Sequence, residues 1–190
     1  MTKRFLYLIR NGHYARHDGG EGPLTEIGQR QVSVTIQALR GFPFMALYHS
    51  PHLQVEQTAL AFAQAFGLDA RSTDLLRQYD DQIKFSTLTR NMLMNALQAQ
   101  HDQIENAYET FVVPPCDSDE HIILVCHANI IRDLICRALN VNPSSWAHML
   151  INHCGISCLS VEAVPDGRTR VELLSYNDVN HLPDSLHTEN

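Results

Sequence analysis

The stretch Phe5-Leu6-Tyr7-Leu8-Ile9-Arg10-Asn11-Gly12 runs from apolar side chains straight into a guanidinium, an amide and a glycine. A short, nearly continuous apolar run reads as a strand buried on both faces of a sheet. The Asn-Gly pair after it reads as a sharp turn, because both residues tolerate positive φ. Arg10 and Asn11 are therefore expected at the carboxyl end of a central strand, where open α/β sheets bind ligands. There Arg10 is a planar, permanently charged donor suited to an oxyanion; the plainer alternative is a solvated arginine at a strand end. A second corner of the same kind follows His121-Ile122-Ile123-Leu124-Val125-Cys126. It carries His127-Ala128-Asn129 and passes at once into a helix beginning Ile130-Ile131.

The elements that must position these corners are legible in outline. Residues 4–10 form the first strand, and a polar loop of residues 11–24 lies at the cleft mouth. Thr25 can cap the next helix, with Glu26 at its positive end and Ile27, Val34, Ile36 and Leu39 as its apolar face. Met45 to Tyr48 is a second strand, and Ser50-Pro51 starts a helix carrying Leu53, Ala59, Leu60, Ala63 and Phe66 to a stop at Gly67. Ser72 to Gln78 returns as an extended segment. Residues 83–112, rich in Leu, Met, Ala and Gln, read as one or two helices closed off by Pro114-Pro115. Pro143-Ser144-Ser145-Trp146 starts a short helix. Gly155–Val164 and Arg168–Tyr176 flank Pro165-Asp166-Gly167 as a β-hairpin, and the tail after Asp178 is polar and expected to fray.

Bulk properties narrow the function. The 190 residues suit one domain, 1–190, with a helical insert at 78–115 over the cleft. Hydrophobic residues make up 44% and charged residues 18%, an ordinary globular mix. With 14 basic against 21 acidic residues the net charge is −7, which disfavours a nucleic-acid or anionic-membrane surface, so any anion site must be local. Cys126 and Cys136 sit in apolar patterns and read as buried thiols, which suggests a reducing, cytoplasmic setting. The strand signature starts by residue 4, so no targeting peptide is expected, and no apolar run approaches a membrane span.

A signature and four further blocks in order give the chain a family likeness. Arg10-Asn11-Gly12 resembles the Arg-His-Gly signature of the histidine phosphatase (phosphoglycerate mutase-like) superfamily. Leu24-Thr25-x-x-Gly28-x-x-Gln31, His49-Ser50-Pro51, Asp74-Leu75-Leu76-Arg77 and Val125-Cys126-His127-Ala128-Asn129-Ile130-Ile131-Arg132 resemble the blocks that follow. The last of these, with Cys136-Arg137-Ala138-Leu139 and Pro143-x-x-Trp146, is most similar to the mitochondrial phosphoglycerate-mutase-like Ser/Thr phosphatase branch. The resemblance implies a three-layer α/β/α fold with a mostly parallel central sheet. It also implies a site in which a histidine attacks phosphorus, two arginines and a second histidine hold the phosphoryl oxygens, and a carboxylic acid protonates the leaving oxygen.

Three of those five roles fall on altered residues. The nucleophile position is Asn11, whose amide nitrogen has no usable lone pair. The second arginine falls on Gln54, which weakens charge-assisted contact by about 1.5–3 kcal/mol. The acid falls on Gln78, with Asp80 and Asp81 close by; losing a general acid typically costs about 10²–10⁴-fold. Arg10 and His127 remain, with backbone donors at Gly12 and Ala128. The resemblance thus implies a pseudophosphatase whose cleft recognises a phosphate ester or phosphoprotein. The alternatives are a slow phosphatase rescued by His13 or His127, and a non-catalytic scaffold. No cofactor is implied, and a homodimer is left open. His148, His153, Cys154 and Cys158 lack the spacing of a strong zinc motif, so no metal is expected. His49 reads as a turn residue ahead of a cleft residue, His52 as surface, His181 as part of a returning tail or exposed, and Arg16 and His17 as solvated loop residues ahead of phosphate contacts. Arg132 and Arg137 do not share a helix face and read as solvent or ion-pair residues.

Overall fold

The computed structural model describes residues 2–16, 20–78, 90–142, 145 and 148–189. Its strands are β1 (Lys3–Arg10), β2 (Phe44–His49), β3 (Ala70–Ser72), β4 (Glu120–Cys126), β5 (Ile156–Ala163) and β6 (Thr169–Asp178). Its helices are α1 (Glu26–Ala38), α2 (Leu53–Phe66), α3 (Arg90–Phe111) and α4 (Ala128–Leu139). The strands form one sheet in the order β3-β2-β4-β1-β5-β6. β3, β2, β4 and β1 run parallel, and the β5–β6 hairpin adds an antiparallel edge.

Strand alternation divides the core in two. Leu6, Leu8, Ile122 and Leu124 face one side, where Ile104, Ala107, Ile130, Ile131 and Leu134 of α3 and α4 cover them. Tyr7, Ile9, Ile123 and Val125 face the other, under Val32, Val55, Ala59 and Phe62 of α1 and α2. Successive side chains of a strand point to opposite faces, so an uninterrupted apolar run demands helices on both. The result is a three-layer α/β/α arrangement. The β1–β4 register aligns Arg10 with Cys126, so Asn11 and His127 leave the sheet side by side. The β2–β4 register aligns His49 with Val125, which brings Ser50 to the same rim.

Several expectations change in physical terms. The buried stripe of α1 is Gly28, Gln31, Val32 and Thr35, while Ile27 lies 38% exposed. Two of those buried side chains are polar because the chain's end satisfies them. The Gln31 amide donates to Leu186 O and Thr188 Oγ1, each at 2.7 Å, and Thr35 Oγ1 lies 2.9 Å from His181 Nε2. The tail is therefore docked rather than frayed, with Leu182 and Leu186 buried in the core. α2 begins two residues later than the expected Ser50-Pro51 start, at Leu53 with His52 as its N-cap. Thr25 caps α1 as expected, accepting from Gly28 N. Of the insert, residues 79–89 lie outside the described residues, as do Pro143, Ser144 and Trp146 of the expected short helix. α3 packs on α4 and on the turn Asp74–Leu76, where Gln103 donates to Leu75 O and Arg77 O.

Candidate functional site

Arg10, Asn11, Tyr14, Arg16, Gln78, His127, Ala128, Asn129, Arg132 and Glu189 line a cavity of about 180 Å³ at the carboxyl ends of β1 and β4. Arg10 is 7% exposed. Its Nη1 donates to Ile151 O at 2.5 Å and to Glu189 O at 2.6 Å. Burial lowers its pKa to about 10, with Arg132 and Arg16 pushing the same way against Tyr14, so it stays charged at neutral pH. Asn11 is buried, its backbone N–H on Cys126 O and its Nδ2 on Gly12 O.

Gly12 does something other than expected. Its N–H is committed to Thr58 Oγ1 at 3.1 Å, and it is not among the residues lining the cavity. Neither Asn11 nor Gly12 has positive φ. Glycine is needed there because a Cβ would stand 2.9 Å from Gly28 O, where the chain crosses α1. Gly12 is thus a packing residue, and the backbone donor assigned to it is already used.

His127 caps α4 from the end of β4 and is 3% exposed. Its Nε2 lies 2.9 Å from Ser50 Oγ, and its ring sits 4.9 Å from that of His52. Burial above all, then His52 and Arg10, hold its pKa well below the usual imidazole range, so it is neutral. His52 is consequently no surface residue. It stands between His127 and Glu21, whose Oε1 is 3.3 Å from its Nε2, and burial lowers its pKa. Ala128 opens α4 on the cavity wall, where first-turn N–H groups lack helical partners.

Gln78 lines the cavity half-buried; Asp80 and Asp81 lie outside the described residues. Gln54 is fully buried on α2, off the cavity wall, and neither of its amide atoms has a partner among the described residues. His13 faces away, its Nδ1 2.8 Å from Thr25 Oγ1 and its ring against His153. His49 turns its Nδ1 onto Ser50 O, as a turn residue should. His17 lies outside the described residues.

The sequence reading missed Arg132, Tyr14, Asn129 and Glu189, and ranked Arg16 as a solvated loop residue ahead of a phosphate contact, whereas Arg16 lines the cavity. Arg132 sits four residues after Ala128, one helical turn up the same face, and that spacing was the available signal. Its Nε is anchored on Met149 O at 2.5 Å. Asn129 Oδ1 accepts from Ile130 N, while its buried Nδ2 has no partner among the described residues. Three guanidiniums against Glu189 give this chain of net charge −7 a local cationic hollow suited to an oxyanion.

Parallel strands ending in an arginine-lined hollow, with helices on both faces, define a three-layer α/β protein of the phosphoglycerate mutase-like class. The chain belongs to the histidine phosphatase superfamily (branch 1), whose family model matches residues 6–115. It is similar to the mitochondrial Ser/Thr-protein phosphatase PGAM5 of Mus musculus, with 30% identity over 191 residues covering 95% of this chain and 64% of that protein. The Xenopus tropicalis counterpart is 28% identical over 180 residues, covering 90% and 64%. The chain thus spans just under two thirds of these curated relatives. A phosphoglycerate mutase from Plasmodium falciparum shares the fold with a TM-score of 0.66 at 24% identity, over 97% of this chain and 96% of that one. A mycobacterial glucosyl-3-phosphoglycerate phosphatase with inorganic phosphate gives 0.67 at 17% identity, over 95% and 100%.

The cytoplasmic expectation does not stand, because the curated relatives are mitochondrial by name. All five cysteines are free thiols, four of them buried, and a buried thiol survives in more than one compartment.

Proposed function

We propose that this chain is a degenerate histidine phosphatase whose cleft binds a phosphoryl group, on a phosphate ester or a phosphoprotein, without turning it over. One observation carries the reading: the cavity is lined by the guanidiniums of Arg10, Arg16 and Arg132, while Asn11 and Gln78, which the family resemblance aligns with the nucleophile and the acid, present amides to it. Arg10, Arg16 and Arg132 supply charge, and Ala128 N–H and Asn129 Nδ2 supply neutral donors. Neither amide attacks phosphorus or protonates a leaving alkoxide. Rescue by His127 is disfavoured because its Nε2 is engaged by Ser50 Oγ, and rescue by His13 because its Nδ1 is engaged by Thr25 Oγ1.

The test pairs binding with turnover. Calorimetric titration with inorganic phosphate should show binding that falls about tenfold or more in Arg10→Ala, the loss expected for a charge-assisted contact. Hydrolysis of p-nitrophenyl phosphate should stay at the Arg10→Ala background. The combined Asn11→His, Gln78→Glu variant should gain turnover. Wild-type hydrolysis that disappears with Arg10 would overturn the degenerate reading in favour of a slow phosphatase. Absence of phosphate binding in a folded wild-type chain would leave a scaffold.

A further inference from the structure

A second cavity, about 330 Å³, lies between α3 and α4 and shares no lining residue with the arginine-lined hollow. Its apolar wall includes Ile104 and Cys136, both buried, with Val141 exposed at the rim. Two acids border it. Glu105 is answered by Arg137, whose Nε lies 2.7 Å from Glu105 Oε1 and whose guanidinium sits 4.5 Å from the centre of the Tyr108 ring. Asp133 is not answered: it has no hydrogen bond or ion pair among the described residues. Burial pushes its carboxyl up to about 6, against the opposing pull of Arg132, so it is largely ionised at neutral pH. The carboxyl end of α4, with Asn140 as its C-cap, borders the same cavity and adds the negative pole of the helix dipole.

We infer that the α3–α4 cavity is a binding site for a small organic cation, an ammonium or amidinium on a short apolar body, with Asp133 as its counter-ion. The apolar body covers Ile104, Cys136 and Val141, and the cationic head neutralises the one carboxylate lacking a partner there. An anion meets Asp133 and the helix dipole unfavourably, and a neutral analogue forgoes the charge-assisted bond. A metal ion is not the occupant: no group of three ligating side chains stands together among the described residues. The volume falls at the lower end of small-molecule pockets, which suits a fragment-sized ligand.

The test is a ¹H–¹⁵N NMR titration of the full chain with benzamidine, and with benzamide and benzoate as neutral and anionic controls. Benzamidine should give saturable shifts at the amides of Glu105, Asp133 and Arg137, with a dissociation constant of about 1 mM order. Benzamide and benzoate should bind about tenfold weaker or not at all. Asp133→Asn should weaken benzamidine about tenfold, and Arg10→Ala should leave it unchanged. Val141→Arg, at the exposed rim, supplies an internal cation and should abolish binding even if Asp133→Asn folds poorly. Saturable binding of benzamide as tight as benzamidine, an unaltered constant in both cavity variants, or no saturable shift would each overturn the proposal.

Discussion

Gln54 offers the sharpest test of the energetics. It is 0% exposed, and both its Nε2 and Oε1 lack partners among the described residues. Each buried unsatisfied donor or acceptor costs about 1–3 kcal/mol of lost hydration. Methionine has nearly the same length and volume and carries no group that demands a hydrogen bond. Replacing Gln54 by Met should therefore stabilise the fold by about 2 kcal/mol after allowance for imperfect packing. For a chain of this size that is roughly 4–8 °C in Tm. Urea unfolding followed by both circular dichroism and fluorescence measures the change and checks two-state behaviour. Because Gln54 is off the cavity wall, phosphate affinity should fall by less than about threefold, well short of the loss in Arg10→Ala. A Gln54→Met protein about 1 kcal/mol less stable than wild type would refute the reasoning, since the amide must then have native partners.

Acid should destabilise the fold through two buried imidazoles, His127 and His153, whose pKa values burial lowers, that of His153 to about 3. The unfolded chain then binds more protons below about pH 6.5, so stability falls with acidification by up to about 1.4 kcal/mol per pH unit per histidine. His153→Phe should flatten that slope in urea unfolding between pH 6.5 and 4, and an unchanged slope would count against it. Gly12→Ala forces a methyl against Gly28 O at 2.9 Å and should lower stability by about 1–3 kcal/mol, read by thermal melting. Glu105→Gln breaks an ion pair whose partners are 28% and 44% exposed, so after solvent screening it should cost under about 1 kcal/mol, read by the same melt.

What the sequence made legible was whatever depends on local pattern. The apolar runs before Arg10 and His127 are parallel strands because only a strand covered on both faces needs such a run. The hairpin around Pro165-Asp166-Gly167 and the cap at Thr25 follow from turn and capping chemistry. What failed depends on partners remote in sequence. The apolar face assigned to α1 left out Gln31 and Thr35, which are buried because the tail supplies their hydrogen bonds from more than 140 residues away. Gly12 was read as a turn residue because the helix it touches is invisible in its own neighbourhood. Arg132 was compared with Arg137 when its informative neighbour was Ala128.

The tail that satisfies Gln31 also reaches Arg10, through Glu189 O on Nη1. Under the proposed function the same guanidinium nitrogen would serve as both latch and anion donor. A phosphoryl oxygen that takes over Nη1 must release Glu189 O, and the loss is reciprocal: whatever factor a docked tail subtracts from ligand affinity, a bound ligand subtracts from tail docking. Thr188, held by Gln31 and by the backbone N–H of His153, is where that exchange would be resisted. Protease sensitivity of the last few residues then becomes a remote gauge of whether the hollow is filled.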